Sequence, residues 1–177
     1  MRTLVKAVLI ATIAVATVAT PAFAAAGAKP GPTTIVGIVT ADGEFDVLQA
    51  AVVEAGLVAA LNSTDNQYTV FAPTDAAFVS TFRAVLANNS LTEADVIAFI
   101  SAGGVDTALG DGALSDILLY HVTNGRRTST SVVAAPGYQM LNGERLTRSD
   151  LLAAGINAVD ISASNGVIHV INSVLLP

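Results

Sequence analysis

The chain has 177 residues, with eight basic against fourteen acidic side chains, a formal net charge of −6 and no cysteine. An acidic surface of this kind repels nucleic acid and anionic lipid, so neither is expected as a partner. Without cysteine there is no disulfide, no thiol chemistry and no lipid anchor of the cysteine type, and an ordinary apolar core must hold the fold together.

Arg2 and Lys6 precede an uncharged Ala/Val-rich run from Ala7 to Ala19, and Pro21-Ala-Phe-Ala24 offers small residues at A-x-A spacing. These are the three parts of a secretory signal peptide over residues 1–24. The run is shorter than the roughly 20 residues that cross a bilayer, so no membrane insertion is expected once it is removed. Its loss leaves six basic residues against fourteen acidic. Residues 25–32, small and Gly/Pro-containing, read as a flexible lead-in. Residues 33–177 suffice for one domain burying about 70% of its unfolded surface.

Thr33 to Thr40 fits either a short helix or an extended piece. Phe45, Leu48, Val52 and Ala55 then share one helical face, and Gly56 ends that helix. Leu57, Val58 and Leu61 make a second short turn. Tyr68 to Phe71 is β-branched or aromatic and predicts a strand that Pro73 stops. Thr74 is an N-cap, and Asp75 lies at the positive end of a helix whose Phe78, Phe82 and Val85 recur at helical spacing. This segment should sit at the centre of the domain, where sheet meets helix.

Thr92 and Asp95 form a capping-box pattern, Val96 to Ile100 follow, and Gly103-Gly104 stops the helix. Leu114, Ile117 and Leu118 have helical spacing and run into Tyr120-His-Val122, which reads as a strand. The last third reads as mostly β. Asn142-Gly143 between Gln139-Met-Leu141 and Arg145-Leu-Thr147 is a hairpin signal. Ile156 to Ile161 is another strand, and Val167 to Ile171 with Val174-Leu-Leu176 is apolar on both faces, as in a central strand. Helices crowd the first two thirds and strands the last, which favours an α+β class.

No G-x-S-x-G elbow, H-E-x-x-H or phosphate loop occurs, and two histidines serve the whole chain. A serine with His121 and Asp75 could be assembled on paper, but the residues favour a non-enzymatic protein without metal or cofactor. Arg126-Arg127 could touch an acidic glycan or be a solvated turn; the latter is the plainer reading.

Three segments in order resemble the fasciclin-like (FAS1) domain family in a bacterial-type, secreted, single-domain form. Thr69-Val-Phe-Ala-Pro-Thr-Asp-Ala-Ala-Phe78 is similar to its first signature, Leu118-Leu-Tyr-His-Val122 to its Tyr-His segment, and Asn165 to Pro177 to its second signature. The resemblance covers residues 33–177. It implies an α+β domain with a wedge-like β-sandwich and a cluster of helices. It implies a non-catalytic adhesion or interaction module at the cell surface, in matrix or in biofilm. A protein or polysaccharide partner is expected, and a monomer is the expected state although the sequence does not fix it. The alternative is a periplasmic or secreted binder of a small apolar ligand or polysaccharide. Tyr120 and His121 match the family's partner-contacting pair, although a role inside the core is the plainer reading of both. Thr69, Phe71, Pro73, Thr74, Asp75, Phe78, His169 and Asn172 match structural motif positions. Asn172 departs from the Asp common there.

Overall fold

The structure, a computed structural model, describes residues 31–177. The expected signal peptide and most of the lead-in lie outside the described residues. Strand β1 (Tyr68–Pro73) pairs in parallel with β6 (Gly166–Ile171), placing Val70 opposite Ile168 and Phe71 opposite His169. β2 (Val122–Asn124) flanks β1 and β5 (Ile156–Ala163) flanks β6, both antiparallel, giving the order β2-β1-β6-β5. Every residue of β1 and β6 is buried, as strands covered on both faces must be. Along β1 the N–H of Phe71 faces the His121 carbonyl, whereas that of Tyr68 faces Asn165. By the same alternation position 73 faces past the end of β2, where a proline forfeits no ladder bond.

Period-two alternation sorts the two strands between two cores. Val70, Ala72, Ile168 and Val170 face a core built with helices, including Val47, Phe78, Ile100 and Leu118. Its helices are α1 (Ile35–Val39), α2 (Asp46–Glu54), α3 (Val58–Asn62), α4 (Asp75–Val85), α5 (Glu93–Ser101), α6 (Gly104–Leu109) and α7 (Ala113–Tyr120). Thr34, Thr74 and Thr92 cap α1, α4 and α5 with their side chains, the last in a full capping box with Asp95. Thr33 to Thr40 therefore resolves as a helix. Gly103 stops α5 at φ 68, but α6 starts at once from Gly104.

Phe71 and Ile171 face a second core with Tyr120, Val132, Tyr138, Met140, Leu146, Leu151 and Leu175. This layer consists of α8 (Ser129–Ala134), the two-stranded sheet of β3 (Gly137–Gln139) and β4 (Arg145–Thr147), and α9 (Arg148–Ala153). Four-stranded and two-stranded sheets thus share this core, with the helical cluster on the opposite face, and the α+β class holds. Among the described residues no helix is long and apolar enough to cross a membrane.

Four local expectations need correction. The last third is not mostly strand, because α8 and α9 interrupt it; α9 has its own capping box, Thr147 with Asp150. Tyr120-His-Val122 is not a strand: α7 runs through Tyr120, His121 is its C-cap, and β2 begins at Val122. Val174-Leu-Leu176 does not extend the last strand, because the Asn172 N–H turns to the carbonyls of Ala154 and Gly155 and the ladder ends at Ile171. The Asn142-Gly143 hairpin forms, but over a wider turn than two residues, closed by Met140 N–H to the Glu144 carbonyl at 2.9 Å.

Candidate functional site

The motif residues gather around the β1–β6 seam, where most of their polar atoms meet backbone. Thr69 Oγ1 donates to the Gly125 carbonyl at 2.7 Å and accepts the Arg127 N–H at 2.8 Å. His169 stacks on Phe71 with ring centroids 5.7 Å apart. Its Nε2 meets the Arg127 carbonyl at 2.9 Å and its Nδ1 accepts the Asp160 N–H at 3.3 Å. Burial pushes its pKa below the ordinary histidine value. Asp160 stands at φ 60, at an irregularity in β5, and its carboxylate takes both the N–H and the hydroxyl of Ser129 at the start of α8.

His121 is 2% exposed. Its Nδ1 lies 2.7 Å from the Ile117 carbonyl and its Nε2 accepts the Leu175 N–H at 2.9 Å. Those contacts assign the proton to Nδ1 of a neutral ring, and burial pushes its pKa down to about 4. Its own carbonyl accepts the Phe71 N–H. One residue thereby ties α7, β1 and the C-terminal tail together. Tyr120 is also buried, inside the second core, and burial raises its hydroxyl pKa. The Tyr-His pair is brought together with the seam, but neither side chain forms an open surface.

Thr74 caps its own helix, whereas Asp75, 5% exposed, reaches α2. Its carboxylate accepts the N–H groups of Asp46 and Val47 at 3.1 and 2.9 Å. Burial raises its pKa and those two bonds partly offset the rise. It is therefore a helix-start residue that also caps a neighbouring helix. Asp46, Asp75 and Glu93 place carboxylate oxygens within 4.8 Å of one another, the group among the described residues that could hold a cation. Phe78 fills the helical core and Asn172 is exposed at the end of β6. A serine, His121 and Asp75 do not form a catalytic unit, since both ring nitrogens of His121 and both oxygens of Asp75 are engaged with backbone.

The Fasciclin domain family profile matches residues 43–177. This chain belongs to the Fasciclin domain family. It is 35% identical over 153 residues to protein sll1483 of Synechocystis, across 81% of this chain and 73% of that protein. It is 32% identical over 155 residues to transforming growth factor-beta-induced protein ig-h3 of Sus scrofa, across 84% of this chain but only 20% of that protein. Among solved structures it resembles the FAS1 domain pair of the insect cell adhesion molecule Fasciclin I, with a TM-score of 0.54 and 19% identity over 84% of this chain and 52% of that one. That likeness shows a shared fold.

Sequence reasoning missed two features of this Fasciclin domain. Asn165 is fully buried and staples the N-terminal helices to the β5–β6 turn. Its Oδ1 accepts the Ile35 N–H, and its Nδ2 donates to the carbonyls of Leu61 and Ser63. The solvated-turn reading of Arg126-Arg127 fails for Arg126, while Arg127 is exposed. The Arg126 guanidinium donates to the carbonyls of Ala163 and Gly166 at 3.0 and 2.8 Å and to Ser162 Oγ. Burial lowers its pKa. The Arg127 guanidinium lies over the Tyr138 ring, 5.3 Å from its centroid.

Proposed function

We propose that the chain is an exported, non-catalytic interaction module that binds a protein or polysaccharide at the cell surface or in matrix, working as a monomer. The observation that carries this is the engagement of the motif side chains with backbone. Both histidines have both ring nitrogens in internal hydrogen bonds, so the groups best suited to general acid–base work have no free position for a substrate. Tyr120 and His121 then shape the fold, and contacts come from the surface around them. Family membership and the adhesion molecule among its structural neighbours support the same reading. Weak single contacts would gain effect through multivalent display. The test compares binding of the free domain and of domain-coated beads to host envelope and matrix fractions. Retention of the beads by at least one fraction is expected; retention by none would sink the interaction reading, and turnover of ester or glycoside substrates would sink the non-catalytic one.

A second reading rests on the apolar slot lined by Phe82, Phe99 and Ile117, around which Val85, Leu86, Leu109 and Leu176 are exposed. Such a surface suits a small apolar ligand. A rise in Tm with a fatty acid or isoprenoid alcohol, absent in Leu176→Ser, would favour it.

A further inference from the structure

Beside β2 and the β3–β4 ribbon lies an open cleft of about 620 Å³, lined among others by Asn124, Arg127, Gly137, Tyr138, Gln139 and Gly143. Its size falls within the ~300–1,000 Å³ of small-ligand sites. The backbone of its one lining cation, Arg127, is hydrogen-bonded on both sides. The Arg127 N–H is bound by Thr69 and its carbonyl by His169, so two residues of the family motifs fix the backbone on both sides of one side chain. The preceding Arg126 is anchored to β5 and β6 by its guanidinium. The Tyr138 ring under the Arg127 guanidinium is itself held by a 2.5 Å bond from its hydroxyl to the Ser131 carbonyl.

No acceptor among the described residues takes a hydrogen bond or ion pair from that guanidinium, and the exposed amides of Asn124 and Gln139 beside it are likewise unpaired. A guanidinium seated over a ring, with its planar fork free, recognises a carboxylate in bidentate fashion. Free amides and glycine backbone nearby suit hydroxyl groups. Four of the five described arginines lie between Arg126 and Arg148, whereas eleven of the fourteen acidic residues precede Tyr120. The cleft therefore belongs to the least acidic third of an acidic chain, and an anion is not turned away there.

We propose that this cleft binds a carboxylate-bearing saccharide, with Arg127 gripping the uronate carboxylate and Asn124 and Gln139 contacting ring hydroxyls. This rests on the interaction-module reading and names its partner class. An acidic peptide fits less well, because recognition of acidic motifs uses clusters of arginines, and one arginine lines this cleft.

The experiment titrates the protein with tetragalacturonate, its methyl ester and tetraglutamate, by calorimetry or amide-shift NMR. Binding of tetragalacturonate is expected, lost on esterification, weakened at least roughly tenfold in Arg127→Gln and unchanged in Arg148→Gln. If Arg127→Gln fails to fold, Asn124→Ala with Gln139→Ala carries the same test. No binding at millimolar concentration, binding indifferent to these cleft variants, or tetraglutamate binding as tightly each overturns the proposal. Envelope retention by the unsubstituted protein without any tetragalacturonate binding would fell this proposal alone. Tetragalacturonate binding without envelope retention would fell the broader reading alone.

Discussion

Thr69, His121 and His169 at the β1–β6 seam, and Asn124, Arg127 and Gln139 in the neighbouring cleft, are residues of similar polarity with opposite roles. The first three are buried, and their side-chain polar atoms are all hydrogen-bonded to backbone. The second three are exposed around an open volume. Polar atoms with internal partners hold the fold, and only polar atoms without them remain for a partner. Changes at the seam should therefore register as lost stability, and changes in the cleft as lost binding.

The largest effect should come from Phe71→Ala. Phe71 is fully buried, stacks on His169 and anchors the second core. Truncation removes a large apolar side chain and leaves a cavity, at a cost of about 3–5 kcal/mol. Urea unfolding of wild type and variant measures it. A loss under about 1 kcal/mol would mean that the seam is not the structural centre and would dissolve the contrast.

The centre of the fold was legible because its signals are local. Tyr68 to Phe71 has strand composition, Pro73 stops it, and Thr74 and Thr92 carry capping patterns within three or four residues. The Thr147–Asp150 box is of the same kind, but the hairpin signal beside it biases the segment toward strand. Tyr120-His121 has the apolar, aromatic character of a strand, yet His121 closes the last helical turn by reaching back to Ile117. Val174 to Leu176 is apolar enough to continue β6, but its partner is His121, 54 positions away. The cleft was the least legible. The Thr69 and His169 contacts to Arg127 span 58 and 42 positions, and nothing near Arg127 in the chain announces them.

The seam should also be sensitive to acid. His121 is neutral in the fold with a pKa lowered to about 4, against an ordinary 6.5. As pH falls below 6.5 the unfolded chain takes up a proton that the folded chain refuses until about pH 4. Stability is thus complete above pH 6.5 and falls by up to about 3 kcal/mol on the way to pH 4. His169, also lowered, acts in the same direction. Asp75, raised by burial, acts oppositely: the fold protonates it before the unfolded chain does, which softens the lower end of the decline. Urea midpoints at pH 7, 5.5 and 4.5 should decline in wild type and decline less in His121→Phe, whatever its stability at neutral pH. Equal slopes for the two proteins would show that His121 is not held neutral.

Arg126 and Arg127 sharpen the comparison to two adjacent residues of one type. Arg126→Gln removes charge-assisted bonds to Ala163, Gly166 and Ser162. Bonds from a charged donor contribute roughly 1.5–3 kcal/mol, and a cost in that range is expected, measured as a lower urea midpoint.

Arg127→Gln should be the mildest of the four in stability. Its backbone contacts to Thr69 and His169 survive the substitution, and what the side chain loses is its place over the Tyr138 ring. An exposed cation–π contact contributes about 0.5–1 kcal/mol, so the urea midpoint should barely move while uronate binding weakens at least roughly tenfold. The adjacent pair would then separate cleanly, one arginine read in stability and the other in affinity. Should Arg127→Gln instead destabilise as much as Arg126→Gln, the Arg127 guanidinium would be part of the scaffold, and the cleft would have no free cation to offer.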